Sequence, residues 1–134
     1  MQECYHPEAT FSDPAFGILN AEEVKAMWEM LLRRAPDLGV NFNIESADEQ
    51  SAEVSWIANY VFSATKRQVI NPVHSRLVLK DGLIYQQTDS FNFHNWAKQS
   101  LGLIGMLLGG TTFLQNKTRA KARQALMTYM GNRS

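Results

Sequence analysis

The sequence predicts an α+β fold, a curved antiparallel β-sheet with helices packed on its concave side. Three observations predict it. Residues 40–93 read as four strands in series, separated by turn residues. Helical periodicity appears only on the flanks, over residues 20–34 and after His94. The strands also exceed the usual ~5–6 residues, and long strands in one sheet favour a large, curved surface. At 134 residues the chain suits one domain, spanning residues 1–134, with enough length to bury a core.

Each element has its own signal. Residues 8–12, EATFS, read as a short strand closed by Asp13-Pro14. Asn20 is placed to cap a helix, and Glu23, three residues on, completes a capping box. Val24, Met27, Trp28, Leu31 and Leu32 then recur at helical spacing, and Pro36 and Gly39 mark the exit. Alternation in VNFNI (40–44) and β-branched and aromatic enrichment in AEVSWIANYVFSA (52–64) indicate the next two strands. QVINPVHSRLVL (68–79) and LIYQQTDSFNF (83–93) are the last two, and Pro72 predicts an edge or bulge position. From His94 the period turns helical. Glycines at 102, 105, 109 and 110 interrupt an apolar segment, and a basic helix follows over about 113–130.

The Asp81-Gly82 turn carries the first functional expectation. Such a dipeptide between alternating apolar residues signals a two-residue hairpin loop. Regular pairing outward from it sets Lys80 opposite Leu83 and His74 opposite Asp89, on one face with Tyr85, Gln87, Phe91 and Phe93. A carboxylate beside an imidazole can fix its tautomer, and a carboxylate among aromatics can serve as a general acid or base. A one-residue bulge would put His74 and Asp89 on opposite faces. Asp89 is also the last acidic residue in the chain.

Composition narrows the remaining classes. The net charge is zero, which gives no reason to expect a nucleic-acid partner. Charge is uneven along the chain, with 11 acids and 3 Lys or Arg before residue 54 and 2 acids and 10 Lys or Arg after it. The single cysteine, Cys4, excludes an intrachain disulfide and fits a reducing compartment, so a cytoplasmic location is expected. No signal peptide is apparent, and the apolar run 101–114 is too short to span a bilayer, which needs about 20 residues. His6, His74 and His94 have no metal-ligand spacing, and no nucleophile elbow, phosphate loop or dinucleotide fingerprint occurs. Neither a metal nor a cofactor is expected. The basic helix reads as a solvated face.

Together YHPEATFSDPAFG (5–17), AEEVKAMWEML (21–31) and LVLKDGLIYQQTDSFNFHNW (77–96) resemble the SnoaL-like group. That group lies in the nuclear transport factor 2-like, or ketosteroid isomerase-like, superfamily. The resemblance implies a cone-shaped, cystatin-like sheet wrapped around a pocket, and homodimers packed through the outer face of the sheet. It implies an acid/base role for the aspartate of QTDSF, Asp89. It speaks against epoxide hydrolysis, because Trp56-Ile57-Ala58 stands where those relatives carry Arg-x-Asp. It also offers no tyrosine on the first helix as oxyanion donor. Relatives begin with a long helix that this chain is expected to lack, leaving the pocket more open or covered by the C-terminal helix or a partner.

Two functions of different class follow. The first is a domain that binds a small, largely apolar or polycyclic molecule, with Asp89 as acid/base, His74 as its partner and isomerase-, cyclase- or dehydratase-type chemistry. Asp13, Trp28, Trp56, Tyr60, Tyr85, Phe91, Phe93 and Trp96 are its candidate ligand-binding residues. The second is a non-catalytic dimerisation or interaction module with a filled pocket. An open cavity of more than ~300 Å³ would favour the first.

Overall fold

The computed structural model describes residues 4–133; Met1–Glu3 and Ser134, the ends of the expected span, lie outside the described residues. The chain runs β1 (Tyr5–Asp13), β2 (Gly17–Asn20), α1 (Ala21–Arg34), β3 (Gly39–Ala47), β4 (Ser51–Phe62), β5 (Arg67–Lys80) and β6 (Leu83–Ser90). It continues through α2 (Phe93–Leu101), α3 (Leu103–Leu108) and α4 (Thr112–Arg133). The six strands form one curved sheet in the order β2-β1-β6-β5-β4-β3. The α+β class is as the sequence predicts. One pair departs from antiparallel: β1 lies parallel to β6, because the meander β3–β6 returns to the free edge of the β1–β2 hairpin.

Local chemistry explains most boundaries. The Asn20 side chain accepts from the Glu23 N–H at 2.8 Å, and the Glu23 carboxylate accepts from the Asn20 N–H at 2.9 Å, which is the expected capping box. Asn92 caps α2 without the reciprocal bond, its side chain accepting from the Asn95 N–H at 2.9 Å. That cap ends β6 at Ser90, so Phe93 opens a helix rather than extending the strand. Strand β2 is the element the sequence reading lacks. It has four residues and buries only Leu19, too little for a period-2 signal.

Pro72 lies in the middle of β5, a strand with neighbours on both sides. Pairing with β6 ends at His74↔Ser90, so β6 does not reach Pro72, while β4 still pairs there. On that uncovered edge the Gln99 side chain takes the place of a strand. It accepts from the Ile70 N–H at 2.8 Å and donates to the Ile70 carbonyl at 2.9 Å. Proline thus removes a donor where no strand is available to receive it.

Two apolar clusters anchor the helices to the sheet. Phe11, Leu19, Val24, Met27 and Leu126 hold β1, β2, α1 and α4 together. Val69, Phe93, Trp96, Ala97 and Leu114 hold β5, α2 and the start of α4. The basic face of α4 is not simply solvated. Arg119 donates to the Pro14 carbonyl at 3.3 Å, and Arg123 donates to the Phe16 and Ile18 carbonyls at 3.1 and 2.9 Å. These arginines fasten the loop that follows Asp13. No described helix is long and apolar enough to cross a membrane.

The glycine-rich segment serves packing. A methyl group at Gly105 would sit 1.8 Å from the Ala97 carbonyl oxygen, so α3 approaches the α2 backbone as only glycine allows. Gly105→Ala should therefore displace α3 and lower stability by about 2 kcal/mol, measured by urea denaturation. A loss below about 0.5 kcal/mol would mean that this close approach is not structurally important.

Candidate ligand cavity and acid–base site

Asp89 reaches the concave face through a bulge. Asp81 and Gly82 have φ of 56° and 76°, the paired positive values of a two-residue hairpin turn. Lys80 pairs with Leu83 and Leu79 with Ile84, as expected. Val78 then pairs with Gln86, so Tyr85 is the extra residue of a bulge. Beyond it, Asp89 faces Ser75 and His74 faces Ser90. The expected His74–Asp89 pair is therefore corrected. His74 lies on the opposite face, with its Nε2 3.9 Å from Glu53 Oε1. Tyr85 also leaves the site: it meets His6 edge-on at 5.2 Å and lies under Lys80.

The concave face encloses a cavity of about 630 Å³. Of the sequence candidates, Asp13, Trp28, Trp56, Tyr60, Asp89, Phe91 and Trp96 line it; His74, Tyr85 and Phe93 do not. Phe93 instead packs into the cluster under α2. Residues from α1 (Met27, Met30, Leu31) and α4 (Thr118, Ala122, Ala125) complete much of the wall. Among the described residues, no three His, Cys, Asp or Glu side chains gather as metal ligands.

Asp89 is 5% exposed and held by neutral donors. Ser75 Oγ donates to Asp89 Oδ1 at 2.6 Å, and Gln87 Nε2 donates to the same oxygen at 2.9 Å. Behind these stand further donors pointing the same way. Trp56 Nε1 donates to Ser75 Oγ at 2.8 Å. Trp28 Nε1 donates to the Tyr5 hydroxyl at 2.9 Å, which donates to Gln87 Oε1 at 2.5 Å. Two indole N–H groups thus start two relays that converge on one carboxylate oxygen. The other, Oδ2, accepts no hydrogen bond among the described residues. Ser75, Gln87 and Tyr5 were not named as site residues from the sequence: the bulged register brings Ser75 opposite Asp89, Gln87 was expected on that face but not as a donor, and Tyr5 comes from β1, which only the tertiary structure lays beside β6.

Burial pushes the Asp89 carboxyl above its ordinary range, against the Ser75 and Gln87 hydrogen bonds and the more distant His74, which lower it. Burial likewise pushes Asp13 from 3.8 up to about 6, and the charge of Asp89 adds to the rise. The Phe16 and Ala15 N–H groups, which donate to Asp13 Oδ1 at 2.6 and 3.0 Å, and the Arg119 charge act against it. Burial raises the Tyr5 hydroxyl to about 12, keeping it a neutral donor.

These shifts set a testable titration. The Asp13 carboxyl carbon should titrate near pH 6 by NMR, and Asp89→Asn should move that midpoint down by removing a neighbouring negative charge. An ordinary midpoint near 4 in the parent would contradict the burial argument. Because the folded state binds the Asp13 proton more tightly than the unfolded chain, the Asp13 contribution to stability is largest below pH ~4 and is lost as pH rises through about 6. Asp13→Asn should flatten that decline in a pH series of urea melts.

The sequence profile of the SnoaL-like domain family matches residues 1–87, ending two residues before Asp89. No curated protein matches the chain. Among solved structures it is similar to a Catenulispora acidiphila protein with a ketosteroid isomerase-like fold, in complex with trimethylamine. The TM-score is 0.63 at 13% identity, over 74% of this chain and 78% of that one. It is similar to IdmH of Streptomyces antibioticus, a candidate polyketide cyclase, with TM-score 0.61 and 16% identity over 75% and 84% of the two chains. A candidate isomerase from Rhodopseudomonas palustris gives TM-score 0.61 at 12% identity, over 75% and 81%. Identities this low carry the fold alone. The family match spans well over half the residues, and the curved sheet and its cavity agree with it: the chain belongs to the SnoaL-like domain family.

Proposed function

We propose that the protein binds a small, largely apolar molecule in the cone and moves a proton on it through Asp89. The observation that carries this reading is the cavity of about 630 Å³, with a buried carboxylate on its wall whose Oδ2, among the described residues, accepts no hydrogen bond. A cavity of this size suits a small-molecule ligand and argues against the filled-pocket alternative. The aromatic wall selects for apolar surface. The raised carboxyl pKa supplies the chemistry: ionised, Asp89 is a stronger base than a solvated carboxylate, and protonated, it can return the proton through Oδ2. Abstraction at the α-carbon of a β,γ-unsaturated ketone leaves a dienolate and a neutral Asp89 carboxyl, and re-protonation at the γ-carbon completes an isomerisation. Attack of such an enolate carbon on a second carbonyl of the ligand, with Asp89 returning the proton to the new alkoxide, is a cyclisation; expulsion of a β-hydroxyl, protonated by Asp89 as it leaves as water, is a dehydration. Asp13, the second carboxylate on the wall, is a secondary candidate for this role. His74 has no place in it. Homodimer formation through the outer face of the sheet belongs to the same reading, and Ile57 and Ile70 are exposed there.

The test uses β-tetralone, a bicyclic ketone, and follows exchange of its α-hydrogens for deuterium in D2O by NMR. Parent protein should accelerate exchange over buffer, with the rate rising as Asp89 ionises. Asp89→Asn should cut the acceleration by at least ~100-fold. No acceleration by the parent would remove the acid/base assignment. Loss in Asp13→Asn with none in Asp89→Asn would transfer the role to Asp13.

A further inference from the structure

Helix α3 inverts the usual pattern of a packed helix, which buries its large apolar side chains and exposes its small and polar ones. Here glycines form the buried face. A methyl group at Gly105 would lie 1.8 Å from the Ala97 carbonyl oxygen, and one at Gly109, which caps the helix, 2.6 Å from the His94 ring. The large side chains take the rest of the circumference. Leu103, Ile104, Met106, Leu107 and Leu108, with Phe113 at the start of α4, are each 40–69% exposed. A contiguous apolar surface of this kind marks a contact site. All of it lies beyond residue 87, where the match to the family profile ends.

The surroundings of the patch are cationic. The Arg67 guanidinium packs beside Gly102, immediately before Leu103, with Cζ 3.3 Å from where a methyl group there would sit. Lys98 is exposed in the last turn of α2, and the Lys117 ammonium lies 5.9 Å from the centre of the Phe113 ring. Helix α3 packs on α2 and α4, and neither holds an acid, because the chain has none after Asp89. The same charge continues to the cavity mouth. Ile104 lines the cavity as well as belonging to the patch, so the two are continuous. The exposed charged residues of the lining are Arg34, Lys117 and Lys121, all cations. Asp37, the acid closest to Arg34 in the chain, is not in the lining.

We infer that α3, Phe113 and this cationic rim dock on an anionic lipid bilayer, with the cavity mouth turned toward the lipid. Apolar side chains enter the acyl boundary while Lys and Arg meet the headgroups, which is the pairing that an interfacial anchor needs. The six residues of α3 lie in the interface and fall far short of the about 20 needed to cross it. A second copy of the chain is a poorer occupant, because two-fold pairing through α3 would set like cations against one another. A bilayer also dissolves apolar molecules, so docking brings the mouth to where such ligands reside. The docking goes beyond the proton chemistry of Asp89 and does not depend on it.

The experiment is co-sedimentation with vesicles of phosphatidylcholine alone and of phosphatidylcholine mixed with phosphatidylglycerol. The parent should bind the mixed vesicles at least tenfold more strongly. Raising NaCl to ~0.5 M should remove most of that preference. The double variants Leu103→Gln/Leu107→Gln and Lys98→Gln/Lys117→Gln should each weaken binding to mixed vesicles at least tenfold. Their circular dichroism should be unchanged, because all four side chains are exposed. Ile18→Thr, at an exposed apolar position on β2, should leave vesicle binding as it is. Failure of the parent to bind mixed vesicles, equal binding to both vesicle types, or binding that survives both double substitutions would overturn the docking. So would a parent dimer in sedimentation velocity that Leu103→Gln/Leu107→Gln converts to monomer, since the patch would then belong to a second copy.

Discussion

The bulge at Tyr85 determines which side chains meet inside the cone. The Asp81-Gly82 turn sets a strict two-residue register for the first two pairs, Lys80–Leu83 and Leu79–Ile84. Side chains alternate faces along a strand, so one extra residue on β6 changes the partner of every later position on β5. Ser75 replaces His74 opposite Asp89, and His74 turns to the outer face beside Glu53. The carboxylate exchanges a titratable, chargeable neighbour for a neutral hydroxyl.

That exchange governs the electrostatics. An imidazolium in contact would stabilise the ionised carboxylate strongly. Neutral donors stabilise it less, and burial among Trp28, Trp56 and Phe91 wins. The cost of burying the carboxylate is limited by donors aligned in series, each of which also uses a polar group that needs a partner. The indole N–H groups of Trp28 and Trp56 are satisfied by Tyr5 and Ser75, and the hydroxyls in turn by Gln87 and Asp89. Aromatic bulk and polar order therefore come from the same residues.

The second carboxylate is tied to the far end of the chain. Asp13 sits at the end of β1, its Oδ1 held by the two N–H groups after Pro14. Arg119 and Arg123 of α4 bind the carbonyls of the same loop. The helix that supplies part of the cavity wall thus also fixes the loop that carries a cavity acid. The uneven charge along the chain acquires a structural use here, since Arg123 also lies 3.9 Å from Glu23 at the start of α1.

The sequence by itself determined the elements whose signals are local. The Asn20–Glu23 capping box, the apolar stripe of α1, the Asp81-Gly82 turn and the period of the long strands depend on neighbours a few residues apart. They fixed the α+β class and placed Asp89 among aromatics. What needed the tertiary structure depends on contacts between distant segments. The bulge is a feature of how the strands of the sheet pair, and it decided that Ser75, not His74, faces Asp89. The close approach of α3 to α2 decided why Gly105 is glycine, and the end of β6 at Ser90 decided how Pro72 is accommodated. The Asn71 Oδ1, enclosed without a partner among the described residues, was likewise beyond the sequence, because burial and missing partners are properties of the packed molecule and leave no trace in residue spacing.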